Sequence, residues 1–273
     1  MEQELLTALG KALVEGSLTD PRRLAALDRQ PTVQILPEAN VIKVGGQSFI
    51  DRGRAAVFPL IDEIVSNLPR HKMLIGTGAG TRARHAYSVG LDLGMPTGVL
   101  SVLGIFVSTQ NARMLHFLLA KHGIPFIEQA QFAQLPLYLA ERQAVVFVGM
   151  PPYNFYQPNP QVGRIPPHRT DAGSFLLAEC YGCATHTLIK DVDGLYEADP
   201  KTNLNAALIK EITVTELKAR NLPTLPFDRV LIDLLACARQ LQRFQIINGL
   251  KPHLLEPALR GEHVGTIVRK DAA

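Results

Sequence analysis

Two lysines at predicted strand ends, each followed by a glycine-containing turn, are the residues in this chain best suited to phosphate chemistry. The first opens the turn Lys43-Val-Gly-Gly-Gln-Ser48. In it Gly45 and Gly46, with Gln47 next to them, let backbone N–H groups approach an anion while Lys43 supplies a point charge. A glycine after a strand also occurs in ordinary turns, so this segment alone is a weak signal.

A second glycine-rich turn, residues 76–84, follows the next predicted strand. Gly78, Ala79 and Gly80 would present a nest of backbone amides, and a hydroxyl and two guanidinium groups follow them. The turn is neither a Walker loop nor a dinucleotide fingerprint. In an open parallel sheet, ligands bind beyond the carboxyl ends of the strands, so we expect both turns to lie at one edge of the sheet.

The second lysine begins the segment Lys190-Asp-Val-Asp-Gly-Leu-Tyr-Glu-Ala-Asp-Pro-Lys201. We expect Lys190 to neutralise phosphate charge and the turns after it to frame a base and a ribose. The other nucleotide contacts expected here are Asp193, Gly194, Tyr196, Asp199, Pro200 and Lys201. An ordinary Asp-Gly hairpin turn would explain the Asp-Gly pair but not the lysine on either side of it.

A fourth segment, Arg169-Thr-Asp-Ala172, contains a carboxylate at the predicted start of a helix. Asp171 could be an ordinary helix N-cap. It could also orient Lys43 or Lys190, or hold Mg²⁺ through water. The catalytic residues that we expect are therefore Lys43 and Lys190, which would stabilise charge on the phosphates of a bound polyphosphate, and Asp171.

These segments lie in a pattern of alternating strands and helices that predicts an α/β fold with a mostly parallel central sheet. The predicted strands are 41–44, 72–76, 124–127, 144–148, 186–190, 244–247 and 266–268, and the predicted helices are 55–67, 108–122, 171–182 and 228–241 with a short one near 252. Ser108 is the predicted cap of its helix. Before this domain, 36–273, we expect a helical extension, 1–35, with a helix start at Asp20-Pro21.

The composition limits the classes of function. A net charge of +3 is too small for a nucleic-acid binder held by phosphate neutralisation. The acidic N-terminus and the short apolar runs predict no signal peptide and no membrane span, hence a cytoplasmic protein.

Cys180 and Cys183 form a C-x-x-C without a second pair, which favours small core thiols near a helix end over a zinc or redox site. The proline- and aromatic-rich stretch 150–170 predicts an irregular binding or assembly loop.

In their order along the chain, the four segments resemble the amino-acid-kinase superfamily, and within it the uridylate-kinase-like branch. The resemblance covers roughly residues 36–268, and its most specific part is the Lys-x-x-Asp-Gly-x-Tyr-x-x-Asp-Pro box. It implies a three-layer sandwich of two lobes that share one sheet. It also implies ATP and Mg²⁺ as ligands.

Further stretches resemble the molybdenum storage protein family, in particular its beta-type subunits. They include Ile50-Asp-Arg-Gly-Arg-Ala55, Gly149-Met-Pro-Pro-Tyr153 and Ile165-Pro-Pro-His-Arg169. The resemblance implies uptake of molybdate or tungstate with ATP hydrolysis and storage as polyoxometalate clusters. It further implies a hexameric cage formed with an alpha-type paralogous subunit or with further copies of this chain. The oxyanion or cluster contacts expected on this basis are Arg84, His85, Gln131, His168 and Arg169.

One departure from that family and two alternative functions remain. Where alpha-type subunits carry a string of histidines, this chain reads Asn154-Phe-Tyr-Gln-Pro, which favours a beta-type role. The chain could instead be a uridylate-type kinase, although 94–103 lacks the acidic residue that those kinases place there. It could also be a non-catalytic cage subunit that binds a nucleotide while its partner does the chemistry.

Overall fold

The computed structural model describes residues 16, 19–22, 25 and 32–271. The chain divides into two compact units, Met1–Val33 and Gln34–Ala273. Most of the predicted helical extension lies outside the described residues. Its predicted helix start is confirmed, because the backbone N–H of Arg22 donates a 3.0 Å hydrogen bond to Oδ1 of Asp20 and Pro21 is helical. The division of the larger unit into two lobes stays a prediction.

The larger unit is built on an eight-stranded sheet. Its strands are β1 (Ala39–Val44), β2 (Lys72–Thr77), β3 (Phe126–Ile127), β4 (Ala144–Val148), β5 (Thr185–Lys190), β8 (Glu211–Thr213), β9 (Arg243–Asn248) and β10 (Thr266–Arg269), and β6 (Leu195–Tyr196) pairs with β7 (Leu208–Ile209) in a separate hairpin. The order across the sheet is β3-β4-β2-β1-β5-β9-β10-β8. All neighbouring pairs are parallel except β9 and β10. The prediction of a mostly parallel sheet is confirmed.

Helices cover both faces of the sheet. They are α1 (Arg54–Asn67), α2 (Gly80–Asp92), α3 (Thr97–Leu119), α4 (Leu135–Glu141), α5 (Thr170–Tyr181), α6 (Val214–Arg220), α7 (Leu231–Cys237) and α8 (Leu255–Leu259). Helices α4, α5, α6 and α7 pack on one face, and α1, α3 and α8 pack on the other. Within β1, Val41 belongs to the first core and Ile42 and Val44 to the second, because successive side chains of a strand point to opposite faces. This double burial explains the apolar strands and confirms the three-layer α/β architecture.

Helix α3 begins eleven positions earlier than the sequence predicts, at Thr97 instead of Ser108. Ser108 is not a cap: it is buried in the middle of the helix, and its Oγ donates a 3.0 Å hydrogen bond to the carbonyl of Thr77. The buried side of α3 includes Ser101, Ser108 and Asn111. These polar residues interrupt the apolar period from which a helix is recognised, so the prediction was wrong.

Helix α7 is shorter than predicted and spans only Leu231–Cys237. Asp228 does not start this helix, because its carboxylate caps α5 instead, and Ala238 has an extended backbone that ends the helix. Helices α2, α4 and α6 were not predicted. Cys183 is buried as expected, but Cys180 is exposed, so its assignment to the core was wrong.

Two further expectations concern loops and membranes. Apart from one short 3-10 turn, Asn154–Tyr156, the stretch from Met150 to the start of α5 is irregular, as predicted. In the part of the chain that the structure describes, no helix combines the length and the apolar character needed to cross a bilayer.

Candidate nucleotide-binding site

One buried carboxylate is shared by two buried lysines at the carboxyl edge of the sheet. Lys43 comes from β1, Lys190 ends the adjacent parallel strand β5, and Asp171 lies in the first turn of α5. Nζ of Lys190 lies 2.9 Å from Oδ2 and 3.1 Å from Oδ1 of Asp171, and Nζ of Lys43 forms an ion pair with Oδ1. The three side chains that the sequence assigned to catalysis therefore form one cluster.

The cluster carries more positive than negative charge. Burial alone would raise the pKa of Asp171, but attraction to Lys190 and Lys43 outweighs burial and holds this pKa well below its ordinary value. Burial lowers the pKa of Lys190, and Asp171 only partly offsets that effect. With both lysines protonated, two ammonium groups face one carboxylate. Because buried charge needs compensation, the cluster would be stabilised by an anion placed against the lysines.

The two glycine-rich turns lie directly against each other. A Cβ on Gly46 would stand 2.6 Å from Cα of Gly80 and 2.8 Å from the carbonyl carbon of Ala79. A Cβ on Gly78 would stand 2.5 Å from the backbone nitrogen of Gly46 and 3.0 Å from Nζ of Lys43. Contacts of this length admit only glycine at both positions. The turns thus form a continuous backbone surface beside Lys43.

Side chains of helix α3 form hydrogen bonds with the second glycine-rich turn and hold it in place. The buried side chain of Asn111 donates hydrogen bonds to the carbonyl oxygens of Gly78, at 2.6 Å, and Ala79, at 3.1 Å. Ser108 and Thr77 exchange hydrogen bonds at 3.0 and 3.2 Å. The sequence did not predict this support. Its only signal was a set of polar residues inside a helix that is otherwise apolar.

Asp228 is a further site residue that sequence reasoning missed. Its Oδ2 accepts hydrogen bonds from the backbone N–H of Asp171 at 3.2 Å and of Ala172 at 3.5 Å, so it caps α5. Its Oδ1 forms an ion pair with Arg169, 2.6 Å from Nη2. The interaction with Asp228 raises the pKa of Arg169, although burial alone would lower it. Arg169, predicted as an oxyanion contact, is therefore already paired within the chain.

A cavity of about 700 Å³ opens beside this cluster. The predicted site residues in its wall are Lys43, Gly45, Gly46, Gln47, Gly78, Ala79, Gly80, Arg84, Arg169, Asp171, Lys190, Gly194, Tyr196, Asp199, Pro200 and Lys201. Residues that were not predicted complete the wall, including Tyr87, Ile165 and the segment 224–228. Burial raises the pKa of Tyr87 to about 12, so its hydroxyl stays protonated. The fold therefore brings most of the predicted residues to one cavity of a size typical of small-molecule sites.

Four predicted residues do not line that cavity. Asp193 lines a separate, shallower cavity of about 530 Å³, where its carboxylate accepts a 2.9 Å hydrogen bond from Asn248 and pairs with Lys251 at 2.7 Å. Gln131 belongs to a helix-capping box with Glu128. The remaining two residues are His85 and His168.

Each of these histidines lies outside the wall of the large cavity. His85 is exposed on α2. His168 is half-buried, with Nδ1 2.9 Å from the hydroxyl of Tyr153, and burial lowers its pKa. Of these four residues, only Asp193 was expected to contact the nucleotide, and the expected contacts of Gln131, His85 and His168 with an oxyanion or a cluster stay predictions.

The carboxylate expected to bind Mg²⁺ has no oxygen free for direct coordination. Oδ1 of Asp171 contacts both lysines, while Oδ2 accepts hydrogen bonds from Lys190 and, at 3.2 Å, from the backbone N–H of Asp228. Within the described residues, no group of three or more histidine, cysteine, aspartate or glutamate side chains is placed to hold a metal ion. The geometry fits Asp171 as the residue that orients the lysines, and a role through water stays a prediction.

Comparisons with known proteins show which family the chain resembles and which fold it shares. Residues 38–248 match the model of the amino acid kinase family. The chain is 54% identical over 260 residues to the molybdenum storage protein subunit beta of Azotobacter vinelandii, covering 95% of this chain and 96% of that protein. It is 31% identical over 180 residues to a uridylate kinase of Metallosphaera sedula, covering 66% and 73%. The crystal structure of a uridylate kinase from Archaeoglobus fulgidus superimposes with a TM-score of 0.63 at 22% identity, covering 84% of this chain and 99% of that one.

Proposed function

The chain belongs to the amino acid kinase family and groups with the molybdenum storage protein beta subunits, and from this premise we propose that it acts in ATP-dependent storage of molybdate or tungstate. In this proposal it is the beta-type subunit of a hexameric cage in the cytoplasm. The other subunits are an alpha-type paralogue or further copies of this chain. The cage holds the oxyanion as polyoxometalate clusters.

The observation that carries the nucleotide part of the proposal is the carboxylate of Asp171 shared between Lys43 and Lys190. A triphosphate laid over this cluster would supply the negative charge that the lysines lack. The backbone amides of the two glycine turns would surround the same phosphates. The residues between Gly194 and Lys201 that line the cavity would frame the base and the ribose.

In this proposal ATP is hydrolysed without a covalent intermediate on the protein. Water would attack the γ-phosphorus, the bond from phosphorus to the β,γ-bridging oxygen would break, and ADP and inorganic phosphate would leave. Lys43 and Lys190 would stabilise the charge that develops on the bridging and terminal oxygens, which is the main contribution of a protein to phosphoryl transfer. Asp171 would keep both ammonium groups fixed without losing its own charge.

The proposal is tested with purified Lys43→Ala and Lys190→Ala proteins. Lys121→Ala is the matched control, because Lys121 is exposed and lies outside the cavity wall. We expect each site variant to bind ATP at least about tenfold more weakly, since a charge-assisted contact contributes about 1.5–3 kcal/mol. Phosphate release should fall as well, and the control should match the parent protein. Unchanged hydrolysis in both site variants would contradict the catalytic assignment.

Two further measurements separate the proposed function from its alternatives. Molybdenum or tungsten bound to protein from supplemented cells, measured with the native mass, tests storage and the cage directly. Turnover of uridylate with ATP would identify a nucleoside monophosphate kinase instead. ATP binding without hydrolysis in the assembled cage would identify a nucleotide-binding subunit whose partner performs the chemistry.

A further inference from the structure

The side chain of Asn111 is fully buried on α3 and points both of its amide hydrogens at the second glycine-rich turn. Its Nδ2 donates to the carbonyl oxygens of Gly78, at 2.6 Å, and Ala79, at 3.1 Å. Its Oδ1 accepts a hydrogen bond from Nη2 of Arg82. Because a guanidinium group can only donate, this third contact determines which end of the amide faces the turn.

The two hydrogen bonds to the turn orient two successive peptide units. The carbonyl of Gly78 shares its planar unit with the N–H of Ala79, and the carbonyl of Ala79 shares its unit with the N–H of Gly80. In a trans peptide the N–H points opposite to the carbonyl, and the described part of the chain contains no cis peptide bond. Both N–H groups therefore point away from Asn111. Since Asn111 is buried outside the cavity wall and the turn lines that wall, these N–H groups face the cavity side.

The N–H groups of Ala79 and Gly80 are available to a ligand. Among the residues that the structure describes, no acceptor takes either N–H group, although Ala79 is buried. Lys43 lies next to them, because a Cβ on Gly78 would stand 3.0 Å from Nζ of Lys43. A buried N–H without a partner is costly, so an oxyanion held by Lys43 would satisfy both donors and be bound by them.

The preceding peptide unit is anchored to α3 in the same way but with a different result. Ser108, which lies one turn earlier on α3, donates a 3.0 Å hydrogen bond from Oγ to the carbonyl of Thr77. The N–H of Gly78, in the same peptide unit, donates to the carbonyl of Val44 at 2.8 Å and is not free for a ligand. Ser108 therefore only attaches the turn to α3, whereas Asn111 also determines where two free donors point.

We propose that Asn111 is a positioning residue for the phosphates of the nucleotide. By holding two successive carbonyl groups, it aims the N–H groups of Ala79 and Gly80 at the phosphate oxygens that Lys43 binds. Donors that are fixed before the ligand arrives stabilise negative charge on those oxygens without reorganising during phosphoryl transfer. Asn111 does not line the cavity, so it acts only through the turn. The inference rests on the proposed binding of ATP in this cavity.

The test compares the parent protein with Asn111→Ala and Asn111→Asp. Alanine removes both donors by truncation, and aspartate keeps the shape but places a carboxylate against the two carbonyl oxygens. If the aspartate variant does not fold, the alanine variant carries the test. Binding of ATP and of AMP is measured by calorimetry on the folded proteins, and the free energy of unfolding is measured by denaturant titration.

Two control variants separate the aiming of donors from the loss of a buried hydrogen bond. Ser108→Ala removes the neighbouring anchor of the same turn, whose peptide N–H is already used within the chain. Asn67→Ala is the matched control for stability. Asn67 is a buried amide on α1 that donates a 2.8 Å hydrogen bond to the carbonyl of Glu63 and lies outside the cavity wall.

We expect the Asn111 variants to bind ATP at least about tenfold more weakly than the parent and AMP within about threefold of it, because AMP lacks the phosphates that Lys43 would bind. Both control variants should lose stability and keep their ATP affinity within about threefold of the parent. An unchanged ATP affinity in the Asn111 variants, or an equal loss for ATP and AMP, would overturn the inference. So would an equal loss of ATP affinity in Ser108→Ala, because attachment of the turn would then be sufficient.

The same measurements distinguish this inference from the function on which it rests. A parent protein that binds no ATP would refute the proposed function itself. Normal ATP binding by the parent, with Asn111 variants that behave like Ser108→Ala, would remove only the role of Asn111.

Discussion

Asp171 and Asp228 hold each other through reciprocal hydrogen bonds. The backbone N–H of Asp228 donates to Oδ2 of Asp171, and the backbone N–H of Asp171 donates to Oδ2 of Asp228, each at 3.2 Å. The carboxylate that orients the two lysines is therefore fixed to the segment 224–228, which forms part of the cavity wall. A ligand that shifts the segment 224–228 would therefore also shift Asp171 and, through it, the two lysines.

Asp228→Asn should weaken both the fold and the reaction. The change removes the charge that pairs with Arg169 and caps α5, and hydrogen bonds to charged groups contribute about 1.5–3 kcal/mol. We expect a loss of that size in the free energy of unfolding, measured by denaturant titration, together with slower ATP hydrolysis. Asp233→Asn is the control, because Asp233 forms an exposed ion pair with Lys218, and exposed ion pairs add little to stability. Equal losses in the two variants would refute a special role for Asp228.

Asp171→Asn should be strongly destabilising near neutral pH. It leaves two buried ammonium groups without their carboxylate, and breaking a buried ion pair in this way costs about 3–5 kcal/mol. Because the folded pKa of Asp171 lies below its ordinary value of 3.8, its stabilising contribution is complete above that value and is lost as the pH falls below it. The difference in unfolding free energy between parent and variant should therefore narrow below pH 3.8. A difference that stays constant into acid would contradict the charge assignment.

His186 should make the folded protein sensitive to mild acid. Burial lowers its pKa from 6.5 to about 3; Asp171 raises it, but the two lysines oppose that effect. In this range the unfolded chain binds a proton that the folded chain does not, so stability rises with pH between about 3 and 6.5. His186→Asn should remove part of this slope, at most about 1.4 kcal/mol per pH unit. His122→Asn, at an exposed position, serves as the control substitution.

Gly46→Ala should weaken nucleotide binding by far more than any loss of folding stability would explain. The added methyl group would collide with backbone atoms of Ala79 and Gly80 and push the two turns apart. We expect ATP affinity to fall at least about tenfold, measured by calorimetry on folded protein, because even small misplacement of a binding group is costly. Gly94→Ala is a suitable control: its φ of +77° makes alanine strained there, but the position lies outside the cavity wall. Similar ATP affinities in the two variants would argue against the shared backbone surface.

The sequence predicted the lysine cluster because strand ends of a parallel sheet meet at one edge. Lys43 and Lys190 each follow a short apolar run, and Asp171 opens a helix, so local pattern alone placed them. Asp228 could not be found in this way, because its partner Asp171 is 57 residues away and no local signal joins them. Asn111 was missed for a related reason: its partners are carbonyl groups of a distant turn. The side chain of Asp193 lines a second cavity, which could not be predicted because an Asp-Gly turn does not reveal which cavity its side chain faces.

The neighbouring positions of β1 and β5 determine which insertions and deletions the lysine pair can tolerate. Lys43 pairs with Leu188, so Lys190 lies two residues further along the adjacent strand, and the distance between the two lysine backbones is set by this strand pairing and not by the loops that connect the strands. Insertions in the loops that connect the helices and strands between the two lysines would therefore leave the pair of charges intact. Removal of a single residue within either strand would rotate its lysine to the opposite face of the sheet, away from its counter-charge.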